Sequence, residues 1–192
     1  SVTPGSKSFA WVNGKATGAG SVAIGATVVG VGTPTASGTN SIALGTVATA
    51  SGTNAIAIGT ANGKTLNTAS GSNSISIGTG AQAQKHSCIA MGASSRATNT
   101  SDTVTRASFA MGYSAKATAD LSIAIGALCE ATGANSCALG YIAKATALNS
   151  LAIGSNFTNS TASSIAIGNG AIDMSIAAGA VQVNGVLGVL ST

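Results

Sequence analysis

The sequence predicts an all-β solenoid of short coils, and three observations carry that prediction. A segment of the form Ser-x-Ala-x-Gly recurs about eleven times, its closing glycines being Gly25, Gly45, Gly59, Gly78, Gly92, Gly112, Gly126, Gly140, Gly154, Gly168 and Gly179. The intervals between these glycines are 20, 14, 19, 14, 20, 14, 14, 14, 14 and 11 residues, so fourteen is the unit and the longer intervals carry insertions. A fixed period this short marks a stack in which each coil contacts only its neighbours. The composition agrees: 6% charged, 3% aromatic and 26 glycines in 192 residues leave little with which one coil could build a core of its own.

Within each unit the first strand is Ser-Ile-Ala-Ile-Gly, whose period-two pattern gives it two unlike faces. Ile123 and Ile125 share one face, Ser122 and Ala124 the other. The large side chains are expected to fill the coil. The small face, Ser41, Ala43, Ser122, Ala124, Ser164 and Ala166, is then a flat uncharged strip for packing against further copies of the chain. Gly45, Gly59, Gly78, Gly92, Gly112, Gly126, Gly140, Gly154 and Gly168 are the expected structural corners. Gly-x-Asn steps such as Gly52-Thr53-Asn54 and Gly133-Ala134-Asn135 supply the opposite corner.

After each corner glycine a second alternation follows. In Gly-Tyr-Ser-Ala-Lys-Ala from Gly112, small Ala115 and Ala117 flank Lys116. Thr49, Gln82, Arg96, Glu130, Lys144 and Thr158 occupy the same place in other units, which marks a strand face in water. With coils about 4.8 Å apart, Glu130 falls between Lys116 and Lys144. The main task expected of this row is solubility and protection against sideways aggregation; a receptor-facing basic stripe is the alternative. A ladder of Thr98, Thr118, Thr132 and Thr146 would suit an ice-binding face, but the charged row beside it argues against one.

Three insertions, near Val28 to Pro34, Asn62 to Asn67 and Asn99 to Arg106, read as loops leaving the roll, and loops on a rigid scaffold often carry binding specificity. Lys64, Arg96, Asp102, Arg106, Lys116 and Lys144 are the candidate ligand-binding residues. Residues 1–20 read as an N-terminal cap with a degenerate first coil, in which Phe9 and Trp11 take the apolar places and Gly14 the corner. Residues 21–179 read as the roll. Residues 180–192 read as a C-terminal cap or the start of a next segment, with Asn184-Gly185 as a turn signal for a hairpin or for the cap of the last coil.

The chemistry of catalysis is missing from this pattern. The four carboxylates, Asp102, Asp120, Glu130 and Asp173, fall in different units, and the one histidine, His86, reads as a surface side chain. No clustered Asp and Gly suggest a calcium-bound roll, and no GxxxxGK[ST] suggests a phosphate loop. The chain therefore reads as a non-enzyme without cofactor or metal. Eight basic and four acidic residues are scattered, which argues against nucleic acid as a partner. No apolar run approaches the length of a membrane-spanning helix, and the first residues do not resemble a signal peptide, so the segment reads as soluble. Cys88, Cys129 and Cys137 lack metal spacing, and all three are expected at small Ser or Ala positions as buried thiols.

The units Asn40-Ser41-Ile42-Ala43-Leu44-Gly45, Asn73 to Gly78, Asn135 to Gly140 and Asn149 to Gly154 resemble the head repeats of the trimeric autotransporter adhesins, the YadA-like heads. The resemblance runs from about Val22 to Gly179. It implies a left-handed parallel β-roll, three of which form a homotrimer. It also implies a bacterial surface fibre, borne on the outer membrane, that attaches to host glycans or extracellular-matrix protein. Similar repeats occur in phage tail fibres, where the partner would be a bacterial surface receptor and the location a virion; the three cysteines fit that alternative.

Overall fold

A computed structural model describes residues 4–63, 65–99 and 107–170, together with the backbone of residues 172–177. Its described residues form two sheets, one of twelve strands and one of ten. The chain alternates between them, so each coil gives one strand to each sheet. Within both sheets sequential coils pair in parallel. Ile42 pairs with Ile56, Ile56 with Ile75 and Ile75 with Ile89, which reproduces the steps of 14, 19 and 14 residues. Insertions thus leave the strand register untouched: the chain bulges out and returns to the same place. At about 4.8 Å per coil the stack from Phe9 to Ile165 is about 50 Å long.

The corners explain two of the repeated residue types. Gly45, Gly126 and Gly154 hold φ of 121°, 129° and 133°, a region that side chains avoid. A Cβ on Gly45 would also land on the carbonyl oxygen of Gly59 in the next coil, so the position lacks both conformation and room for alanine. The opposite corner needs only ordinary left-handed backbone, which asparagine tolerates well. Asn40, Asn54, Asn73, Asn135 and Asn149 supply it with φ of 54–56°.

The inside of the coil corrects the expected orientation of the first strand. Ala43, Ala124 and Ala166 are 0% exposed within a single chain, as are Ser41 and Ser122, while Ser164 is 3% exposed. These six residues fill the coil and are not a packing strip for another chain. Ala50, Ala117 and Ala131 of the second strand are equally buried. The isoleucines lie outside. The two strands of a coil, joined by connections of four and five residues, lie close together, so most of the space between them is filled by Ala and Ser, with Asn67, Asn159 and Phe157 as the larger exceptions. The inward serines have a second reason to recur: Ser41 Oγ donates to the Gly38 carbonyl at 2.7 Å and Ser122 Oγ to Ala119 at 2.7 Å. Ser21, Ser150 and Ser164 tie the corner behind them in the same way, whereas the buried Oγ atoms of Ser74 and Ser136 find no partner; an unpartnered buried hydroxyl costs about 1–3 kcal/mol.

The ends differ from the expected ones. Phe9 pairs with Val22, Trp11 with Ile24 and Val12 with Gly25, so Val12 rather than Gly14 takes the corner register. Phe9 and Trp11 are 53% and 65% exposed and continue the outer apolar face. At the other end Ser164–Asn169 runs through Gly168, which is not a left-handed corner; Gly170, with φ of 80°, lies in the reversal that follows. Ile172–Ala177 returns antiparallel, Ile165 facing Ile176, so this last copy is a closing strand and not an eleventh parallel coil. The proposed hairpin at Asn184-Gly185 lies outside the described residues.

The first two insertions are compact. Val28 and Gly32 form an antiparallel bridge that leaves Val29 96% exposed, and Asn62 and Thr65 form another. Asn67, fully buried, anchors the return of the second loop by donating from Nδ2 to the carbonyls of Gly78 at 2.6 Å and Ile58 at 3.2 Å. Lys64, Asp102 and Arg106 lie outside the described residues.

Candidate functional surfaces

Turning the first strand inside out creates the most extensive feature of the molecule. Because strands pair in register, the outward side chains form two continuous apolar rows. One passes through Ile42, Ile56, Ile75, Ile89, Phe109, Ile123 and Leu151; the other through Leu44, Ile58, Ile77, Met91, Met111, Ile125 and Ile153. Ile58, Met111, Ile123 and Ile165 are 37–40% exposed. The remainder of the rows is half-buried by its own neighbours along the stack. Such a face, unbroken by a charge, is far from the scattered apolar residues of an ordinary surface.

The second sheet presents the opposite chemistry. Thr35, Thr49, Thr68, Gln82, Arg96, Lys116, Glu130, Lys144 and Thr158 stand in register on its outer side. Glu130 bridges both neighbours: Lys116 Nζ lies 2.9 Å from Oε1 and Lys144 Nζ 3.3 Å from Oε2. The hydrogen bond from Lys116 holds the Glu130 carboxyl below its ordinary value of 4.5; partial burial opposes this and Lys144 reinforces it. Arg96, Lys116 and Lys144 therefore share one face; the candidate loop residues Lys64, Asp102 and Arg106 lie outside the described residues.

One corner carries a polar ladder that pattern reading missed. Asn40 Nδ2 donates to Asn54 Oδ1 at 3.4 Å, Asn54 Nδ2 to Asn73 Oδ1 at 3.1 Å, and Asn135 Nδ2 to Asn149 Oδ1 at 3.0 Å. The signal was available: asparagine at one place of a fixed-period stack must meet asparagine above and below, as in stacked amide ladders. His86 joins this edge, with Nδ1 2.7 Å from Ser87 Oγ and Nε2 3.5 Å from Asn73 Nδ2.

Among the described residues nothing resembling a reaction centre assembles. Cys88, expected as a buried thiol at a small position of the strand, lies inside the coil with Sγ 3.1 Å from Ser108 Oγ, while His86 belongs to the outer edge. Cys129 also lies inside, and burial pushes its thiol up to about 11. Cys137 departs from the expected small position: it pairs with Ile123 and Leu151 and therefore stands in the outer apolar row, its thiol also raised by burial. Among the described residues no group of three His, Cys, Asp or Glu side chains could hold a metal ion. No helix there is long and apolar enough to cross a membrane.

Comparison with protein families matches the YadA head domain repeat over residues 15–27, 36–62, 69–95, 107–128 and 131–156. No curated protein sequence matches the chain. The matched segments cover more than half of the chain and include the parallel coils whose register, corners and small-residue interior are described above. The chain belongs to the YadA head family, the repeat of adhesin-type heads at cell surfaces.

Proposed function

We propose that three chains associate through their outer apolar faces into a homotrimer of left-handed β-rolls that serves as the binding head of a bacterial surface fibre. The observation that carries this reading is the pair of apolar rows left outside a coil whose interior is alanine and serine. Apolar area removed from water stabilises by about 25 cal/mol per Å², and a flat face running the length of the rod gives a large area to remove. Three identical chains closing around an axis cover that face without leaving an open edge. The family supports the same arrangement, since its heads are adhesin-type.

The assembled head presents three copies of every outward site, so weak contacts act together; linked sites can raise avidity by about 10²–10⁴ over a single one. Arg96, Lys116 and Lys144, and the loop residues Lys64, Asp102 and Arg106, are the candidate contacts to a host glycan or matrix protein. No turnover is needed for this task. Purified head applied to arrays of glycans and matrix proteins tests it: the expected result is binding that weakens by about a hundredfold in an Ile123→Asp, Ile125→Asp variant unable to assemble. Equal binding by that variant, or binding to nothing on either array, contradicts the reading.

A second reading rests on the thiols. Cys88, Cys129 and Cys137 are unpaired, and unpaired cysteines suit a protein assembled in a reducing cytoplasm. On that reading the same rod is a segment of a phage tail fibre and its partner a bacterial surface receptor. Binding to purified bacterial envelope polysaccharide, with none to host glycans or matrix protein, would select it.

A further inference from the structure

The corner that follows each repeat glycine carries its own row, and both of the chain's tyrosines stand in it. In most coils this place holds a small residue: Thr46, Thr60, Thr79, Ala93, Ala127, Ser155. Tyr113 and Tyr141 occupy it two coils apart, with Ala127 between them. The register is fixed by backbone bonds, Leu128 N–H to the Tyr113 carbonyl at 2.8 Å and Ile142 N–H to the Ala127 carbonyl at 3.0 Å. Tyr113 and Tyr141 are 60% and 54% exposed. Two coil spacings set their attachment points roughly 9.6 Å apart, and the methyl group of Ala127 leaves an open gap between them.

We propose that Tyr113, Ala127 and Tyr141 form a ledge for a linear glycan, with two sugar rings of one chain stacked on the two phenols and the sugar between them passing over Ala127. This names the ligand class for the binding head proposed above, and rests on that reading. A large exposed aromatic ring supplies flat apolar area at small conformational cost and a hydroxyl at its rim, which matches the mixed C–H and hydroxyl surface of a sugar. The carbonyls of Tyr113, Ala127 and Tyr141 are already paired between coils, since Asn156 N–H also donates to the Tyr141 carbonyl at 2.8 Å, and the flanking strands are paired on both sides. The ledge therefore offers rings and polar side chains, and no free strand edge for an extended peptide to join. Three residues beyond each tyrosine stand Lys116 and Lys144, with Glu130 between them, a row of donors and acceptors for sugar hydroxyls.

The test uses the full chain carrying 3-fluorotyrosine, in which two tyrosines give two fluorine resonances. Cellohexaose, a neutral linear oligosaccharide, and a hyaluronan octasaccharide, an acidic one, are titrated against it beside glucose. The expected result is that at least one oligosaccharide shifts both resonances along a single binding curve while glucose at equal concentration shifts neither. Tyr113→Thr and Tyr141→Ser, which install residues this row already uses, are expected to weaken that binding by about tenfold or more each without changing the oligomer's mass. Shifts from neither oligosaccharide, a shift of one resonance alone, or a loss of assembly in either variant would overturn the ledge. The mass readout keeps the two readings apart: a monomeric chain whose two resonances still shift together refutes the trimer and leaves the ledge standing.

Discussion

Ala124 and Ile123 are neighbours whose roles follow from the width of the coil and not from hydrophobicity. The alanine is enclosed between two strands and the isoleucine stands outside. Ala124→Val should therefore overpack the coil and destabilise the fold by about 1–3 kcal/mol, read as a lower thermal midpoint. Ile123→Ser should leave the strand content of the circular dichroism spectrum unchanged and lower the oligomer's mass instead. If Ala124→Val is neutral while Ile123→Ser unfolds the chain, the orientation described here is reversed. The thiols divide along the same line. Cys129, pushed to about 11 by burial, should resist alkylation at pH 8 until the chain is unfolded. Cys137, in the outer row, should react in the Ile123→Asp, Ile125→Asp variant and be protected in the assembled wild type; rapid modification of Cys129 in the native protein would contradict its placement.

Strand positions, period and insertion sites were legible in the sequence because a fixed register leaves a fixed spacing, and Gly45 or Asn54 can be read as a corner from residue type alone. Which face of the strand was inside was not. Alternation shows that two faces differ, and the habit of placing the larger one inside fails where the enclosed space is filled in most coils by methyls and hydroxyls. Cys137 is a separate misreading: Asn135-Ser136-Cys137-Ala138-Leu139-Gly140 sets it in the place of Ile42, not of a small residue, and its pairing with Ile123 and Leu151 puts it in the outer row. The charged row was legible, including the position of Glu130 between two lysines. Here the structure adds that it bridges both at once. Because the folded state holds this carboxyl below the 4.5 of the unfolded chain, its contribution is present above about pH 4.5 and is lost as pH falls through the lower folded value. The pair is partly exposed, so Glu130→Gln should cost only about 0.2–1 kcal/mol at pH 7 and reduce the acid sensitivity of the midpoint. A variant whose midpoint falls with acid as steeply as the wild type's would show that the bridges contribute nothing.

For the molecule as a whole, a single roll is an incomplete solution to burying apolar surface. Its inside is packed with alanine and serine, yet its largest side chains stay partly exposed along one entire face. Assembly and function are then linked, since the face that joins the chains also fixes how the charged rows, loops and tyrosine ledges are displayed together. The most direct measurement is the mass of the full chain in solution by light scattering during size-exclusion chromatography, at low micromolar concentration. Closure of the apolar faces around one axis predicts a single species at three times the 18.1 kDa chain mass. A monodisperse species at 18.1 kDa, with the parallel strands intact, would contradict it.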